Sequence, residues 1–408
     1  MVSSSAAARN TVPCVTDSSD GSPVLSAAEI HAAESLLADY WGASVVVRDA
    51  EKIWDRSHIV RLRLAGDDRT AVLKRPREGA SDDRSRGFDA ELAALRFLSP
   101  METTVAPRLL GADASAGILI MEDLGPGSSL ADSLMAGGHG RVAADLISYA
   151  RAIAAMHAWS VGRSREYAQI RAGLAGSAGA GMEPDWMDAI ARSKERFLAM
   201  AAHLGLATDG VDREIDSLGA LMAGAGYVGL VHSDLCPDNT HIADDRCQII
   251  DFETSGWGPV ALDVAYLLAP FPSCWCFASL PAEVAGPALL AYRDQAANAG
   301  MELGPDWEDA LTAALAGWVI ARGARIGQAL EEDRDWGTTT MRPRLLTWLS
   351  SFIGAASRTG ALPRLRALAE PIREQLRLRW PDAVVPEYPA LARPGALLAR
   401  RPSSWHPD

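Results

Sequence analysis

The stretch from Leu230 to Glu253 constrains this chain more than any other. It reads Leu-Val-His-Ser-Asp-Leu-Cys-Pro-Asp-Asn-Thr-His-Ile and then, after a short turn, Cys-Gln-Ile-Ile-Asp-Phe-Glu. An apolar run leads into His232 and Asp234, Asn239 follows five residues later, and a second apolar run delivers Asp251, Phe252 and Glu253. Short apolar runs bounded by turn residues read as buried strands. Two carboxylates and an amide are therefore offered from two adjacent strand ends. Such a set can hold an alcohol and a divalent metal beside a phosphate.

Upstream of this stretch the pattern is a small antiparallel sheet with helices. Ser26-Ala-Ala-Glu29 has the form of a capping box, and a helix should run from it to about Tyr40. Ala43–Val47 reads as a first strand that continues irregularly toward Trp54. Ile59–Leu64 alternates, with Val60, Leu62 and Leu64 on one face and Arg61 and Arg63 on the other. The short polar segment Asp55-Arg-Ser57-His58 joins these two strands. Thr70–Lys74 returns, with Val72 and Lys74 sharing a face. A helix then carries Phe88, Leu92, Leu95 and Leu98 as its buried stripe, and Glu91 lies beside that stripe. A carboxylate there needs a partner. Lys74 is the natural one, because a helix after a third strand usually packs back on its sheet. Arg108–Gly111 and Ala116–Met121 read as two more strands. The second ends in Met121-Glu-Asp-Leu-Gly125-Pro-Gly, which has the composition of a hinge.

Downstream the texture is helical. Val142, Leu146, Ala150, Ile153 and His157 form one apolar stripe, so His157 reads as a satisfied core histidine. Residues 163–183 are Gly/Ala-rich and read as loop, two helices are expected within 184–224, and further helices fill 280–380. Asp263 interrupts an apolar helix and must be hydrogen-bonded if buried, most simply to backbone amides of the 232–239 loop.

Bulk properties exclude several classes. A net charge of −13 argues against general affinity for nucleic acid or an anionic membrane. The apolar run Ala310–Ala321 stops at Arg322, short of a membrane span, and no signal-like segment opens the chain. Five scattered cysteines, Cys14, Cys236, Cys247, Cys274 and Cys276, read as small buried hydrophobes of a reduced cytoplasmic protein rather than a disulfide framework.

Taken together, Lys74, Glu91, the hinge, His232-Ser-Asp234-Leu-Cys-Pro-Asp-Asn239 and Asp251-Phe252-Glu253 give the chain a family likeness. It resembles the aminoglycoside phosphotransferase and choline kinase-like family over roughly 40–270. The resemblance implies an α+β, bilobal protein-kinase-like fold with a small antiparallel-sheet N-terminal lobe and a larger, mostly helical C-terminal lobe. The layout expected is a disordered tail over 1–22, a nucleotide-binding lobe over 23–124, a helical lobe with catalytic loop and substrate site over 125–380, and a tail over 381–408. It implies ATP, with GTP as the alternative, and Mg²⁺ as cofactors, and a small-molecule alcohol as acceptor for a monomer or homodimer. By resemblance, Asp234 orients the acceptor hydroxyl and His232 braces the loop. Asn239 and Asp251 hold metal, and Lys74 binds phosphates while held by Glu91. Ser57, Val72, Met121, Glu122 and Leu124 border the nucleotide, the last two through backbone groups.

Two departures stand out. Ser233 replaces the family's usual Gly, and no Gly-x-Gly-x-x-Gly lies between the first two strands. The alternatives are a protein Ser/Thr kinase and a non-catalytic nucleotide-binding regulator of the same fold. The first lacks support because Asp251-Phe-Glu has no following Gly and no Ala-Pro-Glu signature appears. The acceptor's chemistry stays open: Trp257, Trp275 and Trp318 could line an apolar site, and the acidic run Glu331–Asp335 could receive an amine.

Overall fold

The computed structural model describes residues 24–53, 56–66, 68–76, 82–102, 104–136, 138–174, 185–224, 226–393 and 395–400. The segments 1–22 and 401–408, and most of the stretch between 172 and 185, lie outside the described residues. The chain forms two compact units, one comprising residues 1–88 with 108–123 and the other 89–107 with 124–408.

The first unit is a sheet covered by one helix. Helix α1 spans Ala27–Trp41 and starts as expected: Glu29 N–H donates to Ser26 Oγ, and the Glu29 carboxylate accepts from the Ser26 backbone. Gly42 ends it at φ 66°, a left-handed turn that glycine takes at no steric cost. Strands β1 (Val47–Ile53), β2 (Arg56–Leu64) and β3 (Thr70–Lys74) make an antiparallel meander. Beyond α2 (Asp82–Leu98), strands β4 (Leu109–Asp113) and β5 (Ile118–Glu122) complete a sheet of order β1-β2-β3-β5-β4. Val60, Leu62, Leu64, Ala71 and Leu73 build the buried face with Ala33 and Leu37 of α1. On the opposite face Arg61 is tied to Asp123 at 2.6 Å and to Glu51 at 3.2 Å.

Two sequence expectations need correction here. The first strand begins at Val47, not Ala43, because the chain leaves α1 through an irregular turn. Arg56–His58 belongs to β2 rather than to a polar loop, which leaves only residues 54 and 55 between β1 and β2. The helix that covers the sheet's core is α1. Within the second unit, Phe97 of α2 meets Tyr167 and Trp257 edge-on, at ring centroid distances of 5.6 and 5.8 Å.

The second unit is mostly helical. Its elements are α3 (Leu130–Ala136), α4 (His139–Ser160), α5 (Ser164–Ala172), α6 (Asp185–His203), α7 (Val211–Asp216) and α8 (Leu218–Ala223). Four short strands follow, β6 (Val228–Val231), β7 (Thr240–Ala243), β8 (Arg246–Ile249) and β9 (Gly256–Pro259). Then come α9 (Ala261–Val264), α10 (Ala282–Asn298), α11 (Trp307–Gly323), α12 (Ile326–Glu331), the tiny hairpin β10 (Asp335–Trp336) and β11 (Thr339–Thr340), α13 (Met341–Thr359) and α14 (Pro363–Arg379). The stripe on α4 is fully buried from Val142 through His157. A loop was expected at 164–172, yet a helix forms there, because Tyr167 and Arg171 at i and i+4 both have a buried place to go. The region 185–224 holds three helices where two were expected. Among the described residues no helix is long and apolar enough to cross a membrane.

Candidate active site

Each motif of the opening stretch bridges two small sheets, the 232–239 loop running from β6 to β7 and Asp251–Glu253 from β8 to β9. β6 pairs with β9, and β7 pairs with β8. What joins them is the loop chemistry. Ile250 N–H donates to the Asn239 carbonyl at 3.0 Å, His232 Nε2 lies 3.0 Å from the Ile250 carbonyl, and Thr254 Oγ1 donates to the His232 carbonyl at 2.9 Å. Asp234 N–H reaches His232 Nδ1 at 3.3 Å. That fixes the imidazole with its proton on Nε2, facing the carbonyl.

Ser233 and Asp251 both have left-handed backbones, at φ 67° and 68°. This explains the family glycine at the first position: a Cβ in that conformation costs roughly 1–2 kcal/mol. Ser233 is held there by Asp263, which is wholly buried. Its Oδ2 accepts from His232 N–H at 2.7 Å and its Oδ1 from Ser233 N–H at 2.9 Å. Asp263 Oδ2 also meets His157 Nε2 at 3.1 Å, and His157 Nδ1 meets the Tyr292 hydroxyl at 2.9 Å. Burial, and next the Asp263 charge, push the Tyr292 phenol well above its ordinary range. The brace expected of Asp263 and the core role expected of His157 are both present.

Asp234 lies half-buried at the loop's tip. Its Oδ1 accepts from Ser273 Oγ at 2.7 Å, and the Tyr266 hydroxyl stands 3.3 Å away. Tyr266 has one proton and three acceptors in reach, of which the Ser233 carbonyl at 2.9 Å is nearest. Asn239 Nδ2 donates to the Asp234 carbonyl at 2.8 Å and stands 3.4 Å from Asp234 Oδ2. Asn239 thus spends its amide nitrogen on the loop and leaves Oδ1 as a hard oxygen donor. Among the described residues no group of three or more His, Cys, Asp or Glu is placed to hold a metal. An Asn oxygen and one Asp carboxylate still fit Mg²⁺, which takes few protein ligands and fills the rest of its octahedron with water and phosphate oxygens.

Sequence reading missed Ser273 and Tyr266. Nothing in Pro270-Phe-Pro-Ser273 signals a role; Ser273 comes back to Asp234 because buried Phe271 turns the chain at φ 47°. It also misread the cysteines. Cys236, inside the loop, is disulfide-bonded to Cys274, so two of the expected separate thiols are paired, while Cys247 and Cys276 are buried. Of the candidate acceptor residues, Trp257 is core beside Phe97, and Trp275 donates Nε1–H to Asp238 at 2.9 Å. In the acidic run, Asp333 is spent on Thr340 and the Arg342 backbone, and Glu332 on Arg334.

The remaining predicted residues are placed as follows. Lys74 ends β3 on the half-buried face with Val72, and Val72 pairs with Met121 of β5. Glu122 ends β5, where its N–H donates to the Arg108 carbonyl at 2.8 Å. Ser57 is within β2, its side chain outside the described residues. Glu91, 4% exposed, lies in the part of α2 that belongs to the second unit, as does Leu124 beyond the sheet. Downstream of Leu124, Gly125 is left-handed at φ 72°, and Gly127 lies so close to the His241 ring that a Cβ would stand 2.3 Å from Nε2.

The sequence model described as "Phosphotransferase enzyme family" matches residues 54–308. The chain belongs to this family of phosphotransferases, and its fold is α+β, with an antiparallel sheet in the first unit and mostly helices in the second. Among solved structures it is similar to choline kinase from Cryptosporidium parvum (12% identity, 82% of this chain and 90% of that one, TM-score 0.42). It is also similar to a choline/ethanolamine kinase family protein from Mesorhizobium loti (14%, 83% and 98%, 0.42) and to APH(2")-IIa in its gentamicin complex (16%, 81% and 96%, 0.43). No curated protein matches.

Proposed function

We propose that the chain moves the γ-phosphate of ATP to a hydroxyl of a small molecule, with Asp234 as the residue that orients the acceptor. The observation that carries this reading is the state of the Asp234 carboxylate. Ser273 pins Oδ1 at 2.7 Å, while among the described residues Oδ2 has only the long contact to Asn239. Oδ2 is the atom to which an acceptor hydroxyl donates. Carboxylates are too weak as bases to deprotonate a ground-state alcohol, so the proton transfers late, as the O–P bond forms. Asn239 Oδ1 and Asp251 would hold Mg²⁺, which supplies charge neutralisation at the phosphate oxygens. Lys74, held by Glu91, would bind the α- and β-phosphates. Val72, Met121, the Glu122 carbonyl and the Leu124 amide would border adenine, with Ser57 at the phosphate end. His232 acts through the loop it ties together, not on the substrate. Aminoglycosides, other antibiotics, amino alcohols and sugar-like alcohols are the acceptor classes this reading admits.

The test is Asp234→Asn. Transfer from ATP to an accepted alcohol should fall about 100-fold or more, with the nucleotide dissociation constant unchanged. Retained transfer in the variant overturns the assignment.

A further inference from the structure

The 232–239 loop is tied covalently to the segment that brings Ser273 to it. Cys236 lies in the loop, Cys274 follows Ser273, and the two are disulfide-bonded across a sequence separation of 38. Each cysteine stands at a pivot of its own segment. Cys236 N–H donates to the Asp234 carbonyl at 2.8 Å, and the Cys236 carbonyl accepts from Asn239 N–H at 2.9 Å, so one residue links Asp234 to Asn239. On the other side, Cys274 N–H donates at 3.0 Å to the carbonyl of Phe271, the left-handed residue that turns the chain. Ser273 sits between those two points, and its hydroxyl donates to Asp234 Oδ1 at 2.7 Å.

The sulfurs face the same atoms. Cys236 Sγ is 3.3 Å from Asp234 Oδ1 and 3.4 Å from Ser273 Oγ, and Cys274 Sγ is 3.8 Å from Ser273 Oγ. A disulfide sulfur carries no proton, so while the bond is closed the sulfur beside Oδ1 cannot donate to it. Opening the bond changes two things at once. Cys236 gains an S–H, a weak donor that competes with Ser273 for Oδ1. The sulfurs, about 2 Å apart in any disulfide, must also separate to roughly 3.5–4 Å as unbonded atoms. Part of that movement falls on the two segments that meet at Asp234. A misplacement of about 1 Å in a reacting constellation costs roughly 100-fold in rate. The remaining ties, Trp275 Nε1–H to Asp238 at 2.9 Å and the Tyr149 hydroxyl to the Leu235 carbonyl at 2.8 Å, keep the loop folded without fixing Ser273 on Asp234.

We propose that the Cys236–Cys274 bond and Ser273 form a positioning clamp on Asp234, and that phosphotransfer therefore depends on the oxidation state of this cysteine pair. The inference rests on the phosphotransfer reading above and assigns positioning residues to its site. The cysteines act through Ser273 and the Asp234 carboxylate, not on the substrate. Opening takes a dithiol, which delivers two electrons and two protons: the S–S bond breaks, Cys236 and Cys274 become thiols, and the reagent closes to its own cyclic disulfide. Both cysteines are buried, so this exchange is slow and needs prolonged treatment.

The test compares closed and open forms of the full chain with ATP and a probe panel of gentamicin, choline, ethanolamine and glucose. Alkylation and mass spectrometry report the thiol state of Cys236 and Cys274. The open forms are wild type after prolonged dithiothreitol treatment and the double variant Cys236→Ala with Cys274→Ala. In both, kcat for the best probe should fall about 10–100-fold with KM for ATP kept. Ser273→Ala, whose disulfide is intact, should show a comparable fall and lose its sensitivity to dithiothreitol, because both changes act on one contact. Ser273→Thr, which keeps the hydroxyl, should retain transfer. A cross-link that merely stabilised the fold would leave Ser273→Ala fully active, and that result overturns the clamp. So do alkylatable thiols at Cys236 and Cys274 in the untreated chain, an unchanged kcat in the open forms, a bond that dithiothreitol leaves closed, or dithiothreitol sensitivity that persists in the double variant. In each of these cases, transfer that Asp234→Asn abolishes leaves the phosphotransfer reading standing. No transfer to any probe from the closed chain removes that reading, and the clamp with it.

Discussion

The loop at 232–239 and the sheet of the first unit are stabilised in opposite ways. The sheet is held by area: Val60, Leu62, Leu64, Ala71 and Leu73 bury apolar surface against α1, and each contributes a share that can be removed in part. The loop is held by a polar network around one carboxylate. Asp263 satisfies two backbone amides and a histidine at once, and the backbone it fixes is strained at Ser233. Apolar burial is graded and tolerant; a buried polar network fails as a whole when one member goes. The loop that carries Asp234 is built the second way, and the sheet that carries Lys74 the first.

The largest expected effect tests the network. Asp263→Ala leaves the His232 and Ser233 amides and His157 without their acceptor, all of them buried or partly so. A loss of about 3–5 kcal/mol is expected in urea unfolding, together with loss of transfer activity. If stability moved by less than about 1 kcal/mol, the network would not be what fixes the loop.

Leu62→Ala probes the graded side. Leu62 is fully buried in the sheet's core, and the truncation should cost about 2–4 kcal/mol. Nucleotide affinity should weaken far less than stability, since the residue faces α1 and not Val72 and Lys74. Equal losses in binding and stability would mean that the sheet transmits core damage to its other face.

Ser233→Gly should move stability in the other direction. Glycine removes the left-handed strain and also a hydroxyl that is buried with no hydrogen-bond partner among the described residues. A gain of about 1–2 kcal/mol is expected in urea unfolding. A loss would show that the serine makes a compensating interaction.

These regions also differ in how far they could be read from residues alone. The meander was legible because alternation has a period of two and each strand face is uniform, as Val60-Arg-Leu-Arg-Leu64 illustrates. The Asp263 brace was legible because a charge inside an apolar helix has few ways to be satisfied. Ser273 and the Cys236–Cys274 bond were not, because both depend on where Phe271 turns the chain, and a left-handed phenylalanine leaves no compositional mark. The start of β1 was misjudged for a related reason. Propensity marks an apolar run, but not the residue at which its backbone begins to pair.

The smallest effect returns to α1, the cover of the graded core. Ser26→Ala removes the hydroxyl that accepts from Glu29 N–H and donates to its carboxylate, and should cost about 0.5–1 kcal/mol at neutral pH. Burial raises the Glu29 pKa, but the bonds from the Ser26 hydroxyl and Arg75 outweigh it and hold the carboxyl below its usual value. The sign follows. A carboxyl depressed in the folded state binds fewer protons there than when unfolded. Its contribution is therefore complete above the unfolded value, near 4.3, and is lost as pH falls through the folded one. Amide exchange in the first turn of α1 should separate Ser26→Ala from wild type at pH 7, and the separation should shrink below about pH 4. A difference that stays constant down to pH 3 would assign the cap to the serine alone, with Glu29 a bystander.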